Sequence, residues 1–464
     1  MIRSPSTAKY RRLSFWHDSA NEDWTPRPAL SNDVEADVAI VGAGFTGLWT
    51  AYYLASKQPS LKIVVLEQEV AGFGASGRSG GWCSAIFPAT LRKVASISSR
   101  SSAVALQQKM NETVEEVGRV TRKEGIDCHF AHGGYVSVAR NQAQWARAQA
   151  EVSGWRSWGF GEDHMVLLDS ISAQRHFAAP DVLGATYTPH CAAIQPTLLV
   201  RGLARACERL GVEIYEQTPV AAIEPHHALT ADGSVRAETV VRATEGYTPD
   251  IPGMHRSIVP MYSLMVVTEP LPLELFMGIG LRNRETFSDK RHLRIYGQRT
   301  ADDRIAFGGR GAPYHFGSTI SASFDRDQRV HRKLRRTLTE LLPEVADYRF
   351  THAWGGNLGI PRDWCPSITY NAATGLATAG GYIGDGIATA NLAGRILADI
   401  LTGEKSDLTL LPIVGHISPT WEPEPLRWVG VNAGSALFAA ADLTERITKR
   451  PSRMAKTFWS ILGH

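Results

Sequence analysis

Residues 36–82 constrain the fold more than any other stretch of the chain. An apolar run at 36–41 (Ala-Asp-Val-Ala-Ile-Val) leads into the turn Gly42-Ala43-Gly44-Phe45-Thr46-Gly47. A helical run, 48–55, follows, and a second apolar run, 62–66, ends at Glu67 and Gln68. Strand, Gly-x-Gly-x-x-Gly, helix, strand and acid, in that order, form the fingerprint of a dinucleotide-binding βαβ unit. Each residue type has a physical task. Gly42 permits the tight turn, Gly44 lets a pyrophosphate approach the backbone, and Gly47 lets helix and strand pack closely. The free amides of the helix start, at Phe45 and Thr46, carry positive potential toward the phosphates. Glu67 can accept hydrogen bonds from ribose hydroxyls, and its charge disfavours a 2′-phosphate. The fingerprint alone does not separate FAD from NAD.

Residues 72–82, Gly-Phe-Gly-Ala-Ser-Gly-Arg-Ser-Gly-Gly-Trp, separate them. So many glycines forbid a stable helix or strand. This is a loop whose backbone, at Gly74, Ala75, Gly80 and Gly81, is expected to lie against the cofactor. Ser76, Arg78 and Ser79 would donate to the phosphates and the ribityl chain. Here the sequence resembles the FAD-dependent D-amino-acid oxidase/sarcosine oxidase superfamily, closest to its γ-glutamylputrescine oxidase branch. A second block, Gly380-Gly381-Tyr382-Ile383-Gly384-Asp385-Gly386-Ile387-Ala388-Thr389-Ala390, supports the resemblance, which covers most of residues 36–402. It implies an α/β fold of the glutathione-reductase type: a Rossmann-like FAD-binding domain with an inserted α+β, antiparallel-sheet substrate domain.

The chain's 464 residues suffice for two or three domains. A net charge of +3, from 49 basic and 46 acidic residues, argues against a nucleic-acid partner. Cys83, Cys128, Cys191, Cys207 and Cys365 are scattered, without metal-ligand spacing, so no zinc site or disulfide scaffold is expected. The polar N-terminus lacks a signal-peptide pattern, and no apolar run is long enough to span a membrane. The expected setting is cytoplasmic. The sequence leaves the oligomeric state open.

Taken in order, residues 1–35 read as an irregular arm that Trp16 and Trp24 could pin to the body. The FAD-binding domain is expected in three pieces, 36–99, 191–250 and 352–410. The substrate domain is expected at 100–190 and 251–351, and a helical extension at 411–464. Leu106, Met110, Val114 and Val117 recur at helical spacing. Ala231-Asp232-Gly233-Ser234 signals a hairpin. Strands at 258–268, 293–296 and 304–308 predict an antiparallel sheet roofing the flavin. By the resemblance, the backbone of Val220 meets the adenine, and Ala243, Thr244 and Gly246 form a second pyrophosphate-side segment. The turn Gly381, Tyr382, Gly384, Asp385, Gly386, Ile387 would present a helix start to the flavin N1–C2=O edge, which favours reduction. In the tail, Ala436, Ala440, Leu443 and Ile447 make one apolar stripe, and Met454, Phe458, Ile461 and Leu462 another. With the basic residues between them, they would dock on the body or another subunit, or make a peripheral membrane contact.

The resemblance implies hydride transfer from a carbon beside nitrogen to flavin N5, giving an imine that hydrolyses. The substrate would be a small-molecule amine or amino acid, and oxygen or another carrier the electron acceptor. Trp82 and Cys83 follow the phosphate loop and are expected near the ring. Tyr262, Arg294 and Tyr296 lie on roofing strands, Arg310 could bind a substrate anion, and Trp354 could wall the pocket. Aromatic walls suit a methylene-rich, polyamine-like amine. Where some of the family carry a flavin-linking cysteine, this chain has Trp354-Gly355, so non-covalent FAD is expected. Two alternatives share these features: a glycine-, sarcosine- or D-amino-acid-type oxidase or dehydrogenase, and an interaction module with structural FAD.

Overall fold

The structure, a computed structural model, describes residues 5–452. The strand Val34–Val41 is central to the first sheet. It lies parallel between Ser234–Arg242 and Ile63–Leu66, with Ile40 opposite both Val241 and Val65. Glu213–Tyr215 extends this sheet on one side. Leu376–Gly380 and the antiparallel Ser367–Asn371 extend it on the other. Val38–Val41 and Ile63–Leu66 are almost wholly apolar because both faces of the sheet are covered. The helix Phe45–Lys57 can pack this closely because residue 47 is glycine: a Cβ there would lie 2.0 Å from the Gly42 carbonyl oxygen.

The helix Arg100–Lys123 buries Leu106, Met110, Val114 and Val117 in the same core as this sheet's helices. The expected boundary at residue 100 therefore moves. The helix belongs by packing to the nucleotide side, because its apolar stripe has a ready-made partner there, and the roof begins later, at Tyr135–Ala139.

The second sheet runs in the order Phe350–Ile360, Val259–Thr268, Ile305–Gly309, Ile295–Arg299, Thr286–Asp289, Tyr135–Ala139, Gly184–Thr188, Val166–Asp169. Its neighbours are antiparallel except at one place. Thr286–Asp289 runs parallel to Tyr135–Ala139, joining the two inserted pieces. That strand, Thr-Phe-Ser-Asp, carries no apolar run and was not legible by pattern. The helix Gln328–Leu341 backs the sheet with Leu334, Leu338 and Leu341, while Arg329, Arg332, Lys333 and Arg336 face solvent.

Side chains alternate across the pleat, and this decides what the roof presents. Met265, Ala306 and Trp354 face the nucleotide side and cluster with Phe15 and Trp16. Ser263 and Tyr296 share that face, their hydroxyls 2.8 Å apart. Tyr262, Leu264, Val266, Ile295 and Phe307 face the opposite core, under the backing helix.

The N-terminal stretch is helical rather than irregular, with helices Pro5–Arg11 and Phe15–Ser19. Ser14 caps the second, accepting from the His17 amide at 3.2 Å. Trp16 and Trp24 are 1% and 2% exposed. Trp16 Nε1 donates to the Ser79 carbonyl at 2.9 Å, and Gln195 Nε2 donates to the Trp16 carbonyl at 2.7 Å. At the other end, the helix Leu426–Thr448 docks through polar groups. Asp442 accepts from the amides of His292 and Leu293, and Glu445 from Arg147. The stripe Ala436, Ala440, Leu443, Ile447 faces outward instead of docking. Met454, Phe458, Ile461 and Leu462 lie outside the described residues. No described helix is long and apolar enough to cross a membrane.

Replacing Trp16 by Ala removes a buried indole and its hydrogen bond to the loop. The expected cost is about 3–5 kcal/mol of stability, read as a lowered denaturant midpoint.

Candidate functional site

One elongated cleft runs between the two sheets. It opens at the C-terminal ends of the central strands, the usual ligand position in open parallel sheets. Gly42, Gly44, Phe45 and Thr46 line it from the fingerprint turn, Glu67 and Gln68 from the end of the second strand, and Gly74, Ala75, Ser76 and Ser79 from the glycine-rich loop. Val220, Ala243, Thr244 and Gly246 form another wall. Tyr382, Gly384, Gly386 and Ile387 form the far end.

Its electrostatics suit an anionic dinucleotide. The helices Phe45–Lys57 and Gly386–Leu401 both start at the cleft, and neither has a side-chain cap from its own N-cap residue. Their positive ends both face the cleft. Ser76 Oγ accepts from the Phe45 amide at 2.9 Å, tying loop to helix start. Glu67 accepts from the amides of Ala43 (2.8 Å) and Glu69 (3.0 Å), which aim its carboxyl at the cleft. Burial pushes that carboxyl up to about 7.

Glu245, which pattern reading passed over although it precedes Gly246, organises the far end. Its carboxyl accepts from the amides of Gly381 at 2.8 Å and Tyr382 at 3.2 Å, and also from that of Gly359. It thus ties the glycine-rich turn and the roof strand Phe350–Ile360 to the end of Ser234–Arg242. Burial raises its pKa to about 7, against the pull of those amides and of Arg242. Tyr247, Asn357 and Leu358 also line the cleft and carry no sequence signal.

Other expected cofactor residues support the cleft from behind. Gly47 serves helix packing. Gly80 lies against the Tyr296 ring, and Gly81 against Gln298. Gly381 abuts Pro361, and Asp385 is turned toward the charges of Arg294 and Arg310. Arg78 departs most from expectation. Its guanidinium donates to Asp325 (2.8 Å), the Tyr247 hydroxyl (2.8 Å) and the Gly355 carbonyl (3.4 Å). It clamps the loop to the substrate domain instead of reaching for phosphate.

The substrate candidates divide the same way. Cys83 is fully buried in the nucleotide-side core, and burial holds its thiol well above its ordinary pKa. It does not face a ring. Tyr262 points to the opposite core, one residue out of phase, and its hydroxyl binds the Ser321 backbone. Trp354 lies behind the phosphate loop, against Trp16, its Nε1 donating to the Arg78 carbonyl at 2.9 Å. Trp82 and Tyr296 come together, ring centroids 6.1 Å apart, beside Gly80. Arg310 Nη2 donates to the Ile383 carbonyl at 2.7 Å and lies 4.0 Å from a Cβ built on Gly384. Arg294 is exposed.

The cleft therefore fits FAD: two helix starts without a cap from their own N-cap residues for its charged parts, glycine-rich loops that let its length approach the backbone, and an unpartnered buried Ser79 Oγ along the wall. Fold and cleft together define a flavin-dependent oxidoreductase. The comparisons agree. Residues 37–400 match the family model described as DAO, FAD dependent oxidoreductase, and the chain belongs to that family. It is 29% identical over 406 residues to a probable oxidoreductase OrdL of Haemophilus influenzae, covering 86% of this chain and 90% of that one. It is 28% identical over 396 residues to the gamma-glutamylputrescine oxidoreductase of Escherichia coli, covering 84% and 89%. Among solved structures, glycine oxidase from Geobacillus kaustophilus superposes with a TM-score of 0.68 at 21% identity, over 83% of this chain and 100% of that one.

Two outcomes are expected. Gly44→Val puts side-chain atoms into the cradle, where a Cβ alone would lie 2.9 Å from Ser76 Oγ. The variant should keep its far-UV circular dichroism and purify without flavin colour. For Glu245, the folded chain holds a proton that the unfolded chain releases between pH 4.5 and about 7. Its contribution to stability therefore falls as pH rises through that window. Urea midpoints at pH 5 and pH 7.5 should differ less in Glu245→Gln than in the parent.

Proposed function

We propose that this protein oxidises a C–N bond of an amine or amino acid, and that its substrate is a polyamine-like amine carrying an anionic group, of the γ-glutamylputrescine type. FAD supplies the hydride acceptor, and the resulting imine hydrolyses. The chain's own residues bind, orient and exclude water.

Arg310 carries the reading. Its position follows Ile305–Gly309 on the face that looks toward the nucleotide domain, beside the turn that starts the last helix. Its guanidinium commits one donor to Ile383, makes no other hydrogen bond among the described residues, and lies over the Trp364 ring at 5.7 Å. Burial, with the charge of Arg294 adding, pulls its pKa down to about 10, so it stays charged at neutral pH. A half-buried, under-used guanidinium of this kind matches a carboxylate. Burial raises the pKa of the neighbouring Asp385 carboxyl, against the pull of both arginines. Trp82 and Tyr296 supply aromatic surface for a methylene chain. The gamma-glutamylputrescine relative supports this substrate class. The glycine oxidase of Geobacillus kaustophilus, 25% identical over 387 residues, keeps a small amino acid as the second reading. Five unpaired, buried thiols support a reducing, cytoplasmic setting.

Anaerobic mixing of the yellow protein with γ-glutamylputrescine, putrescine, sarcosine, glycine and D- and L-amino acids tests the proposal. Bleaching by γ-glutamylputrescine is expected. Bleaching by glycine or sarcosine alone would move the assignment to the second reading, and no bleaching would favour a structural flavin. Readmitting air then shows whether oxygen accepts the electrons. Arg310→Met should lower kcat/KM for the anion-bearing amine by about a hundredfold, the order expected for a lost charge-assisted contact, and leave putrescine oxidation little changed. Acid precipitation should give a colourless pellet and a yellow supernatant, the mark of non-covalent FAD.

A further inference from the structure

The helix Leu426–Thr448 has two opposite faces. Arg427, Gly434, Ala441 and Glu445 are buried against the body. On the other side Leu426, Val429, Ala433, Ala436, Ala440, Leu443 and Ile447 are all exposed. The end residues stand out furthest, Leu426 65% and Ile447 72% exposed. Their spacing alternates three and four residues without a break, the 3.5-residue repeat of a seam that receives another helix. At the helical rise the line is about 32 Å long, and a continuous apolar line of that length marks an interaction surface.

The line is also symmetric about its middle. Leu426 and Ile447 end it, Val429 and Leu443 come next, and Ala433 and Ala440 flank Ala436. Reversed, it presents the same order of sizes. A two-fold interface demands this, because one patch must meet its own copy. In an antiparallel pair Leu426 packs on Ile447 and Val429 on Leu443, while Ala436 meets itself on the axis. Large side chains fill both ends, and the alanines let the helix axes approach closely at the crossing. The two bodies then lie on opposite sides of the helix pair, since each body holds the face opposed to the seam.

Two other occupants fit less well. The chain turns at Lys449, whose φ is 58°, and the Ser452 amide donates to Glu445 at 2.9 Å. It therefore leaves the helix on the body side, away from the seam. An anionic membrane calls for basic residues beside the apolar line. Within 426–445 the sole basic residue is Arg427, buried and paired with Glu424.

We propose that a second copy of this chain covers the seam: the protein forms a two-fold dimer by antiparallel pairing of Leu426–Thr448, centred on Ala436. Two such helices paired along their length bury on the order of 1,000 Å², the lower end for a specific interface, so the dimer is reversible.

Sedimentation of the purified holoprotein over a wide concentration range should carry the parent from monomer toward dimer. Ala436→Glu, an exposed change that sets two carboxylates face to face on the axis, should weaken dimerisation at least about tenfold. It should keep the parent's flavin colour and far-UV circular dichroism. Introduced cysteines read the orientation, because the five native ones are buried. Under copper–phenanthroline, Ala436→Cys should form a disulfide-linked dimer. Ile447→Cys should not, because the two copies of an end position lie far apart in an antiparallel pair. A parent that stays monomeric at every concentration would overturn the proposal; binding of that monomer to phosphatidylserine vesicles would make the seam a membrane face. Dimerisation of Ala436→Glu as tight as the parent's would overturn it as well. So would crosslinking of Ile447→Cys as readily as Ala436→Cys, the mark of parallel or unspecific pairing. If Ala436→Glu does not fold, the two cysteine variants decide.

Discussion

Everything in this protein depends on burying an irregular, glycine-rich backbone between two sheets. Peptide groups taken from water must find partners, and residues 77–81 cannot find them in a helix or a strand. Their carbonyls are met one by one from distant parts of the chain. Thr197 Oγ1 and Ser14 Oγ donate to Gly77, Trp354 Nε1 to Arg78 and Trp16 Nε1 to Ser79. Gln298 Nε2 serves Gly80 and Gly81. The loop is thereby fixed from the N-terminal helices, the nucleotide domain and the roof at once. Trp354, expected to wall the pocket, is committed to this scaffold, as are Trp16 and Gln298.

That constraint also explains what could be read from the chain and what could not. The βαβ unit, the closing helix and the antiparallel roof rest on local periodicity and turn chemistry, and these are written in consecutive residues. The facing of a roof side chain is not, because a one-residue shift in phase exchanges the two faces. Tyr262 and Ser263 are neighbours in sequence, yet they end on opposite sides of the sheet. Arg78 looks like a phosphate ligand within its own loop. Its partner Asp325 is 247 residues away, and nothing local announces that pairing.

The substrate side is sparser than the cofactor side. A long row of backbone positions and two helix starts line the cleft that would hold the dinucleotide. On the proposed reading few side chains, Trp82, Tyr296 and Arg310 foremost, would meet an amine. This distribution suits flavin chemistry, in which the cofactor holds the reactive atoms and the protein sets position and charge. It also separates two kinds of change. Alterations in the loops act on cofactor retention, whereas alterations at a few roof positions can act on substrate choice without disturbing the fold.

The parallel pairing of Thr286–Asp289 with Tyr135–Ala139 bears on how the molecule comes into being. One partner emerges from the ribosome about 150 residues before the other. The first insert therefore waits with an open edge, since its own strands Gly184–Thr188 and Val166–Asp169 cover just one side. An uncovered edge is a template for unwanted pairing. The nucleotide sheet waits too, because Leu376–Gly380 arrives near the end of the chain. Neither sheet can be completed before the other is nearly so, and the closure of such distant ends is slow. The interleaving that places a roof over a cofactor thus makes the two domains a single folding problem.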